Sequence, residues 1–489
     1  MLNMGVWDFS KPMNELSSMK NVQEDRVGIL KRVPWYAKAD SHQVNWATTN
    51  VNFLHSYFQA SAGSWAWATY LIGGSNNWTG YTLQYRTTGA WTALTGGTYA
   101  LQPKAELSAV NYLDKAFIVG YDATAKTYLA PATITGTVHA TTDGTALDWM
   151  PSGRYIVRYR DLLYVLYAKI GSTIYPSRAY YNAEPVDMAI PADGWDTPYH
   201  FEQFGQDDWD EITWGAEAYD KLVVFKSHSM WTYDEENVKK IADIGCDSYK
   251  SIKVINGILY WANRDGIWRW AGDLPQLISG KVQPLFNAID QTKLNEMVAS
   301  NYGFEYRLFV WTLVYEENTY TNCWICFDVR REKFYVRCTY HKPLCSTKYI
   351  ESWVERMYFW SDTWYVYKQS TYVDWVNSDD WNEIDYFFIT NALDFGWPEV
   401  TKNSPSAYFF THNTWWMNYV VDVDHAWEFN SFRGQIDSSN FHPTELWVSW
   451  NRLSFKFYGK DKNKPFEFEG FVLDVQGIEN VSPYSTLGQ

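Results

Sequence analysis

Four carboxylate side chains crowd one short segment of the chain. Asp207, Asp208, Asp210 and Glu211 lie within five residues, and residues 201–250 contain 12 acidic and 5 basic residues. Clustered carboxylates can bind Ca²⁺ or provide the acid and base of a glycosidase. The spacing does not fit an EF-hand loop. It therefore favours a solvated acidic loop, with cation binding and catalysis as alternatives.

Four cysteines form the second group that could do chemistry. Cys323, Cys326, Cys338 and Cys345 lie within 23 residues, with His341 between the last two. Tetrahedral zinc sites use such ligands. The first pair lies in a segment that is typical of a strand, where residues three apart point to opposite faces. This pattern favours buried reduced cysteines. Zinc binding and a redox or disulfide role remain as alternatives.

A short Asp-Val-Asp-His segment resembles part of a catalytic triad or a metal site. Its residues Asp422, Asp424 and His425 alternate with Val421 and Val423. Alternation of this kind is typical of a half-buried strand, so we expect the two aspartates on its solvent face. The sequence contains no G-x-S-x-G, H-E-x-x-H, P-loop or G-x-G-x-x-G fingerprint.

Clustered tryptophans near the C-terminus could stack on sugar rings, as in a receptor-binding module. The residues are Trp415, Trp416, Trp447 and Trp450. Tryptophans in β proteins more often lie in cores or subunit interfaces, and we expect that here.

The elements that must position these residues are short strands in a recurring meander. Residues 251–280 are the plainest copy, in which Asn256-Gly257 and Asp265-Gly266 predict hairpin turns with positive φ. Positions that match among the copies are 46, 60, 36, 50 and 49 residues apart: Ala116, Leu162, Leu222, Ile258, Leu308 and Met357. Propeller blades repeat every ~40–50 residues. We count six or seven candidate blades when the region from Trp65 to Tyr85 is included.

These patterns predict an all-β chain with three parts. Residues 1–50 are expected to be an irregular segment, because Pro12, Pro34 and scattered polar residues interrupt any period. Residues 51–375 are expected to form a six- or seven-bladed β-propeller, with a short helical insertion near 281–300 where apolar residues follow helical spacing. Residues 376–489, with their longer alternating strands, are expected to form an antiparallel β-sandwich.

Composition restricts the function further. The chain has 489 residues and a net charge of 41 − 56 = −15, which disfavours a direct grip on nucleic acid phosphates. Aromatic residues are 19% of the chain, and aromatics favour strands and interfaces. No apolar run approaches the ~18 residues of a membrane helix, so we expect no membrane insertion. Five cysteines and no secretory signal predict folding in a reducing cytoplasm.

Four segments together resemble one family, the tail nozzle or tail hub proteins of short-tailed phages, also named packaged-DNA stabilisation proteins. The segments are Leu30–Pro34, Gly153–Ile156 with Tyr175–Tyr181, Glu211–Ser279, and Phe395–Pro398 with Lys402. The third segment includes the Asn256–Tyr260 and Arg264–Trp268 motifs. The resemblance is architectural over most of the chain and is concentrated in residues 150–290.

The resemblance implies a virion structural protein without catalytic residues or cofactors, made in the host cytoplasm. It implies a hexameric ring that closes the tail channel, meets a portal adaptor and other tail proteins such as fibres, and guides or gates genomic DNA during ejection. The acidic loop Asp207–Glu211 would then line the channel and repel DNA phosphates. Two alternatives remain: a carbohydrate-binding receptor-recognition protein of the tail and a propeller glycosidase.

Overall fold

The computed structural model is all-β, with antiparallel sheets that mostly contain four or five strands. It describes residues 16–26, 29–33, 36–39, 50–60, 67–77, 80–86, 91–94, 105–123, 125–135, 139–141, 147–191, 193–196, 198–205, 209–316, 318–351, 354–363, 365–369, 383–393, 401–412, 417–425, 428–436, 442–461 and 466–477.

The N-terminal segment is not irregular where it is described, and our prediction for residues 1–50 is wrong over residues 16–38. Four strands lie there: β1 Leu16–Lys20, β2 Val22–Arg26, β3 Ile29–Arg32 and β4 Tyr36–Lys38. Three of them pair with strands more than 300 residues away, and only β2 and β3 pair with each other. Because these strands are short and complete sheets formed elsewhere, their own sequence carries little strand signal.

Seven sheets follow one another along the chain. Sheet 1 contains β5 Asn50–Ala60, β6 Trp67–Asn77, β7 Gly80–Arg86 and β8 Thr92–Ala93. Sheet 2 contains β9 Ala105–Tyr112, β10 Lys115–Asp122, β11 Thr127–Tyr128, β12 Ala132–Thr135 and β13 His139–Thr141. Sheet 3 contains β14 Ser152–Tyr159, β15 Leu162–Ile170, β16 Thr173–Tyr181 and β17 Phe201–Gln203. Sheets 4 and 5 contain β18 Ile212–Ala218, β19 Lys221–Lys226, β20 Met230–Tyr233 and β21 Val238–Ala242; and β22 Lys253–Ile255, β23 Ile258–Asn263, β24 Gly266–Trp270 and β25 Gln276–Leu277.

Sheets 6 and 7 depart from the plain meander. Sheet 6 contains β26 Val298–Tyr302, β27 Glu305–Phe309, β30 Cys323–Asp328 and β31 Lys333–Cys338, and a separate hairpin, β28 Leu313–Tyr315 and β29 Asn318–Tyr320, lies between its middle strands. Sheet 7 contains β32 Pro343–Glu351, β33 Val354–Ser361 and β34 Val366–Gln369, and the N-terminal β4 is its fourth strand. The chain therefore completes sheet 7 with residues from its beginning.

The repeat positions predicted from sequence occupy equivalent places in the structure. All six lie in the second strand of their sheets: Ala116, Leu162, Leu222, Ile258, Leu308 and Met357. One turn differs from prediction. Asn256 and Gly257 have positive φ as expected, but the next hairpin turns at Arg264-Asp265, where Asn263 Oδ1 accepts a hydrogen bond from the Asp265 amide at 2.9 Å.

The sheets pack face to face because their central strands bury both faces. In β15, Leu163 and Val165 pack with Phe117 of sheet 2, whereas Leu166 packs with Leu222 of sheet 4. Alternating side chains of a strand point to opposite faces, so each such strand is apolar on both sides. The first strands also contact in a cycle: β5, β9, β14, β18, β22, β26 and β32, with β32 contacting β5 again.

Short helical turns connect sheets 5 and 6, within and just before the region where the spacing predicted them. They are a 3₁₀ turn at Ser279–Val282, the α-helix α1 Gln283–Asn287 and a 3₁₀ turn at Gln291–Glu296. A further 3₁₀ turn, Tyr249–Ser251, precedes β22.

Two larger sheets are built from both ends of the chain. Their remaining strands are β35 Ile384–Thr390, β36 Lys402–His412, β37 Met417–His425, β38 Glu428–Ile436, β39 His442–Trp450, β40 Arg452–Asp461, β41 Glu467–Leu473 and β42 Gln476–Gly477. Sheet 8 has the order β1-β35-β40-β37-β38, and sheet 9 has the order β2-β3-β41-β36-β39, with β42 beside β36. Aromatic side chains join the two sheets, as between Phe457 and Phe468 at 4.7 Å.

Asn21, between β1 and β2, ties this two-sheet region to sheet 6. It is buried with φ 58°, and its backbone N–H donates to Val336 O at 2.8 Å. Its side-chain Nδ2 donates to Asp385 O at 2.8 Å, and its Oδ1 accepts from the Cys338 amide at 2.5 Å. One side chain thus satisfies backbone groups of both regions.

Candidate functional site

The predicted acidic loop is described only in part. Asp207 and Asp208 lie outside the described residues. Asp210 accepts hydrogen bonds from the Ser229 hydroxyl at 2.8 Å and from the His228 amide at 3.1 Å, so it stabilises the turn between β19 and β20. Glu211 is half exposed and pairs with Arg154 at 3.7 Å. The structure therefore gives both described acids local partners, and a role in a ring channel stays a prediction.

The cysteines are buried and free, as the strand pattern predicted. Cys323 lies opposite Cys338 on β30 and β31, whereas Cys326 lies opposite Tyr335. Burial raises the pKa of the Cys326 thiol to about 12 and that of Cys323 well above its usual range. Thiols of this kind are protonated at neutral pH. No cluster of metal-ligating side chains occurs within the described part of the chain.

The remaining sequence candidates separate in the structure. Val421 and Val423 are buried, as predicted, and burial raises the pKa of the half-buried Asp422. The side chains of Asp424 and His425 lie outside the described residues, as do Trp415 and Trp416. Trp450 is fully buried and donates to the Ser404 hydroxyl at 2.9 Å, whereas Trp447 is 75% exposed. Trp450 therefore lies in the core, as predicted, whereas Trp447 does not; for Trp447 a subunit interface, the other part of the same prediction, stays a prediction.

The structure adds a cavity that sequence reasoning missed. We call it the axial cavity, since six of the seven first strands, or the residue just before them, line it. Its volume is about 220 Å³. Its walls include Leu54, Ser108, Trp214, Val298 and Thr347, together with the 3₁₀ turn before β22.

Side-chain hydrogen bonds fix the walls of the axial cavity by joining neighbouring first strands. His55 Nε2 and Asn111 Oδ1 are 2.9 Å apart between β5 and β9. Ser108 Oγ accepts from the Ile156 amide at 3.1 Å between β9 and β14. The Ser346 hydroxyl donates to Ala299 O at 2.8 Å between β32 and β26. These polar groups act between sheets and hold the cavity in one shape.

The charged side chains among the described lining residues are both lysines, Lys250 and Lys253. Burial lowers the pKa of Lys253 to about 8. Both ammonium groups lie near the Cys345 thiol, whose pKa burial raises to about 12, so that thiol is neutral at pH 7. Burial also lowers the pKa of His55, which favours its neutral form. The axial cavity is therefore electropositive at neutral pH.

A second, more open concavity lies on the outer face of sheet 8, with a volume of about 650 Å³. The β28–β29 hairpin forms one side of it, where Lys20 Nζ donates to Thr319 O at 2.9 Å and pairs with Asp385 at 2.7 Å. Arg433 and Lys456 line the rest of it. Its cations are thus partly balanced by a carboxylate, unlike those of the axial cavity.

Little in the sequence could have identified the axial lysines. Lys250 and Lys253 flank the start of a short strand and look like ordinary solvated residues. The available signal was the repeat itself: when a chain of meander sheets closes into a cycle, the first strands of the sheets come together. That inference requires the number of sheets.

Comparisons with known proteins give no family. No family model matches the chain, and no curated protein matches it. One matching solved structure is described as "Glycoside hydrolase"; it is 9% identical, covers 86% of this chain and 96% of that chain, and has a TM-score of 0.23. At this similarity the match carries no argument about fold or chemistry. The described residues include no helix that is long and apolar enough to span a membrane.

Proposed function

We propose that sheets 1 to 7 are the blades of a β-propeller and that sheets 8 and 9 form a β-sandwich. The cyclic contacts of the first strands support the first assignment, as does the completion of sheet 7 by β4. Propellers consist of four-stranded sheets arranged around a central channel. The aromatic packing between sheets 8 and 9 supports the second assignment.

On this architecture we propose a tail nozzle or hub subunit, a non-enzymatic virion protein that forms a ring and guides or gates DNA during ejection. The observation that carries the proposal is the order of regions: a cycle of seven meander sheets, hydrogen-bonded through Asn21 to a two-sheet region built from both chain ends. This is the order that the family resemblance implies. Homo-oligomeric assembly, the portal adaptor and fibres as partners, and passage of DNA belong to the same proposal.

Exposed tryptophans offer contact points for such a ring. Trp149 and Trp209 are 78% and 99% exposed, and both have positive φ. Each lies three residues before the first strand of its sheet, Trp149 before β14 of sheet 3 and Trp209 before β18 of sheet 4. Tryptophan is enriched among the residues that dominate binding energy at protein interfaces. We assign these two residues to the contact with a neighbouring subunit or the adaptor.

The test is the mass and shape of the purified protein, by light scattering and electron-microscope class averages, alone and with a candidate adaptor. We expect a closed ring with a channel about as wide as a DNA duplex. The double variant Trp149→Ala/Trp209→Ala should weaken assembly, whereas the control Trp447→Ala, also exposed but on sheet 9, should not. A chain that stays monomeric with the adaptor present would contradict the proposal.

The acidic loop is tested separately, in the phage. Asp207→Asn/Asp208→Asn should slow DNA ejection if the loop repels phosphates in the ring channel. Asp210 is left unchanged, because it stabilises the β19–β20 turn. Unchanged ejection would contradict the channel role.

A carbohydrate-binding tail protein is the second candidate, because Trp447 presents an exposed ring at a bulge in β39. A glycan array would then show binding by the monomer that is lost in Trp447→Ala. The glycosidase alternative predicts hydrolysis that two acid-to-amide substitutions abolish.

A further inference from the structure

The geometry points to a binding site for a small free oxyanion of the phosphate class in the axial cavity, held by the ammonium groups of Lys250 and Lys253. This inference does not depend on the proposed function. It uses the cavity within one chain, whereas DNA in a ring would pass between chains.

The unbalanced positive charge of the axial cavity favours an anionic ligand. Among the described residues, neither lysine has a carboxylate within ion-pair distance, although the whole chain carries a net charge of −15. Lys250 instead lies 5.5 Å from the centroid of the Tyr249 ring. Both lysines lie near the Cys345 thiol, and burial disfavours the charged form of Lys253. An anion bound beside these ammonium groups would relieve that cost.

The walls of the axial cavity leave the two lysines as its main hydrogen-bond donors. The hydroxyls of Ser108 and Ser346 already form hydrogen bonds with backbone groups of neighbouring strands. The lysines are therefore the strong donors that the described walls present to the cavity. Since Trp214 and Tyr249 stack at 5.0 Å on one side, the site is preorganised rather than formed by flexible loops.

The volume of the axial cavity limits the size of the anion that it can hold. The volume of about 220 Å³ is below the ~300–1,000 Å³ of sites that enclose drug-sized molecules. A single compact oxyanion with its water fits this range better than a nucleotide or a DNA strand. Phosphate oxygens accept charge-assisted hydrogen bonds from lysine, which are stronger than neutral ones.

The protonation state of Lys253 should make anion binding depend on pH. The titratable groups that line the cavity with Lys253 are Lys250, Cys345, His55 and Tyr249, and of these Cys345 acts on the pKa of Lys253. Burial lowers the pKa of Lys253 to about 8, keeps the Cys345 thiol protonated, and favours neutral His55. Anion binding should therefore weaken as pH rises through about 8, because the Lys253 ammonium is lost. A bound anion would itself raise the pH at which this happens.

The experiment titrates inorganic phosphate into the full chain at constant ionic strength. Isothermal calorimetry gives the affinity and thermal unfolding gives the shift in Tm. We expect phosphate to bind wild type and the control Lys239→Met, whose lysine is exposed on β21. Lys253→Met and Lys250→Met should each bind about tenfold more weakly or worse, the loss expected for one charge-assisted hydrogen bond.

Several results would overturn the inference. The inference fails if Lys253→Met and Lys250→Met bind phosphate as tightly as Lys239→Met does. It also fails if sodium chloride alone shifts the Tm as much as phosphate does. A single-stranded oligonucleotide whose binding depends on Lys253, with no binding of inorganic phosphate, would assign the site to DNA instead. If Lys253→Met fails to fold, Lys250→Met and the pH dependence of phosphate binding decide the question.

Discussion

The seven-sheet region and the two-sheet region reach similar all-β architectures by opposite routes. Sheets 1 to 6 each use strands that are close in sequence, so hairpins form every sheet. Sheets 8 and 9 combine β1, β2 and β3 with strands more than 350 residues later. Strand β4 belongs to neither pattern: it follows β3 of the two-sheet region directly, yet it completes sheet 7 and so couples the two regions.

The largest expected effect comes from removing the anchor of β4. Tyr36 is 1% exposed, packs edge-on against Phe359 at 4.6 Å, and lies 4.0 Å below the Arg337 guanidinium. Tyr36→Ala should lower the free energy of unfolding by about 3–5 kcal/mol, as for other buried aromatic truncations. Urea unfolding followed by tryptophan fluorescence measures this.

Tyr199→Ala is the matched control, because Tyr199 is 77% exposed and should change stability by less than about 0.5 kcal/mol. If the two variants lose equal stability, β4 does not couple the regions, and the contrast between local and distant pairing has no energetic consequence.

The next effect concerns the other link between the regions. Asn21→Ala leaves the buried Cys338 amide without its acceptor and places alanine at φ 58°. We expect a loss of about 2–4 kcal/mol from the unsatisfied group and the strained backbone. Asn21→Gly removes the same side chain but accepts this φ, so it should lose less. Equal losses in thermal unfolding would mean that the backbone conformation contributes nothing.

The same contrast explains what the sequence could predict. The meander pattern placed Leu162, Leu222 and Met357 in equivalent second strands because turns and alternation are local signals. It could not place β1 to β4, because their partners lie hundreds of residues away. The solvent and core faces of β37 were predictable from alternation. The same period of two in β39 places Trp447 on the exposed face and Trp450 on the buried face, although clustering alone had grouped the two tryptophans together.

The axial cavity is the feature that was hardest to predict, because its walls come from residues that are far apart in sequence. Cys345 was singled out for its spacing to the other cysteines, yet it lies in the cavity wall beside Lys250 and Lys253. The walls come from six of the seven repeats, and each wall residue is ordinary in its own segment. Only closure of the cycle encloses the two lysines of one segment in a cavity.

Lys253→Met should change stability in the opposite direction from the first two variants. Burial depresses the folded-state pKa of Lys253 from 10.5 to about 8. Below pH 8 both states carry the charge, so the full cost of burying it destabilises the fold. Between pH 8 and 10.5 only the unfolded state is protonated, and stability rises with pH.

The shift of 10.5 − 8 = 2.5 units sets an upper limit of ~3.4 kcal/mol, and partial exposure reduces the expected gain of Lys253→Met to about 2 kcal/mol at pH 7. The gain should shrink toward zero by pH 10. Denaturation at pH 7, 8.5 and 10, with Lys239→Met as control, measures it. A gain that does not change with pH would assign the effect to packing rather than to charge.

The smallest expected effect on stability belongs to Trp209. Its side chain is 99% exposed and its φ is 53°, a region that L-residues with large side chains rarely adopt. Trp209→Ala should therefore change the free energy of unfolding by less than about 0.5 kcal/mol. Trp209→Gly should be neutral or slightly stabilising, because glycine accepts positive φ. A tryptophan at this position thus contributes little to the fold of one chain, which agrees with its proposed place in a subunit or adaptor contact. A loss above about 1 kcal/mol in Trp209→Ala would show that Trp209 packs within the chain, and it would remove this residue from the proposed subunit contact.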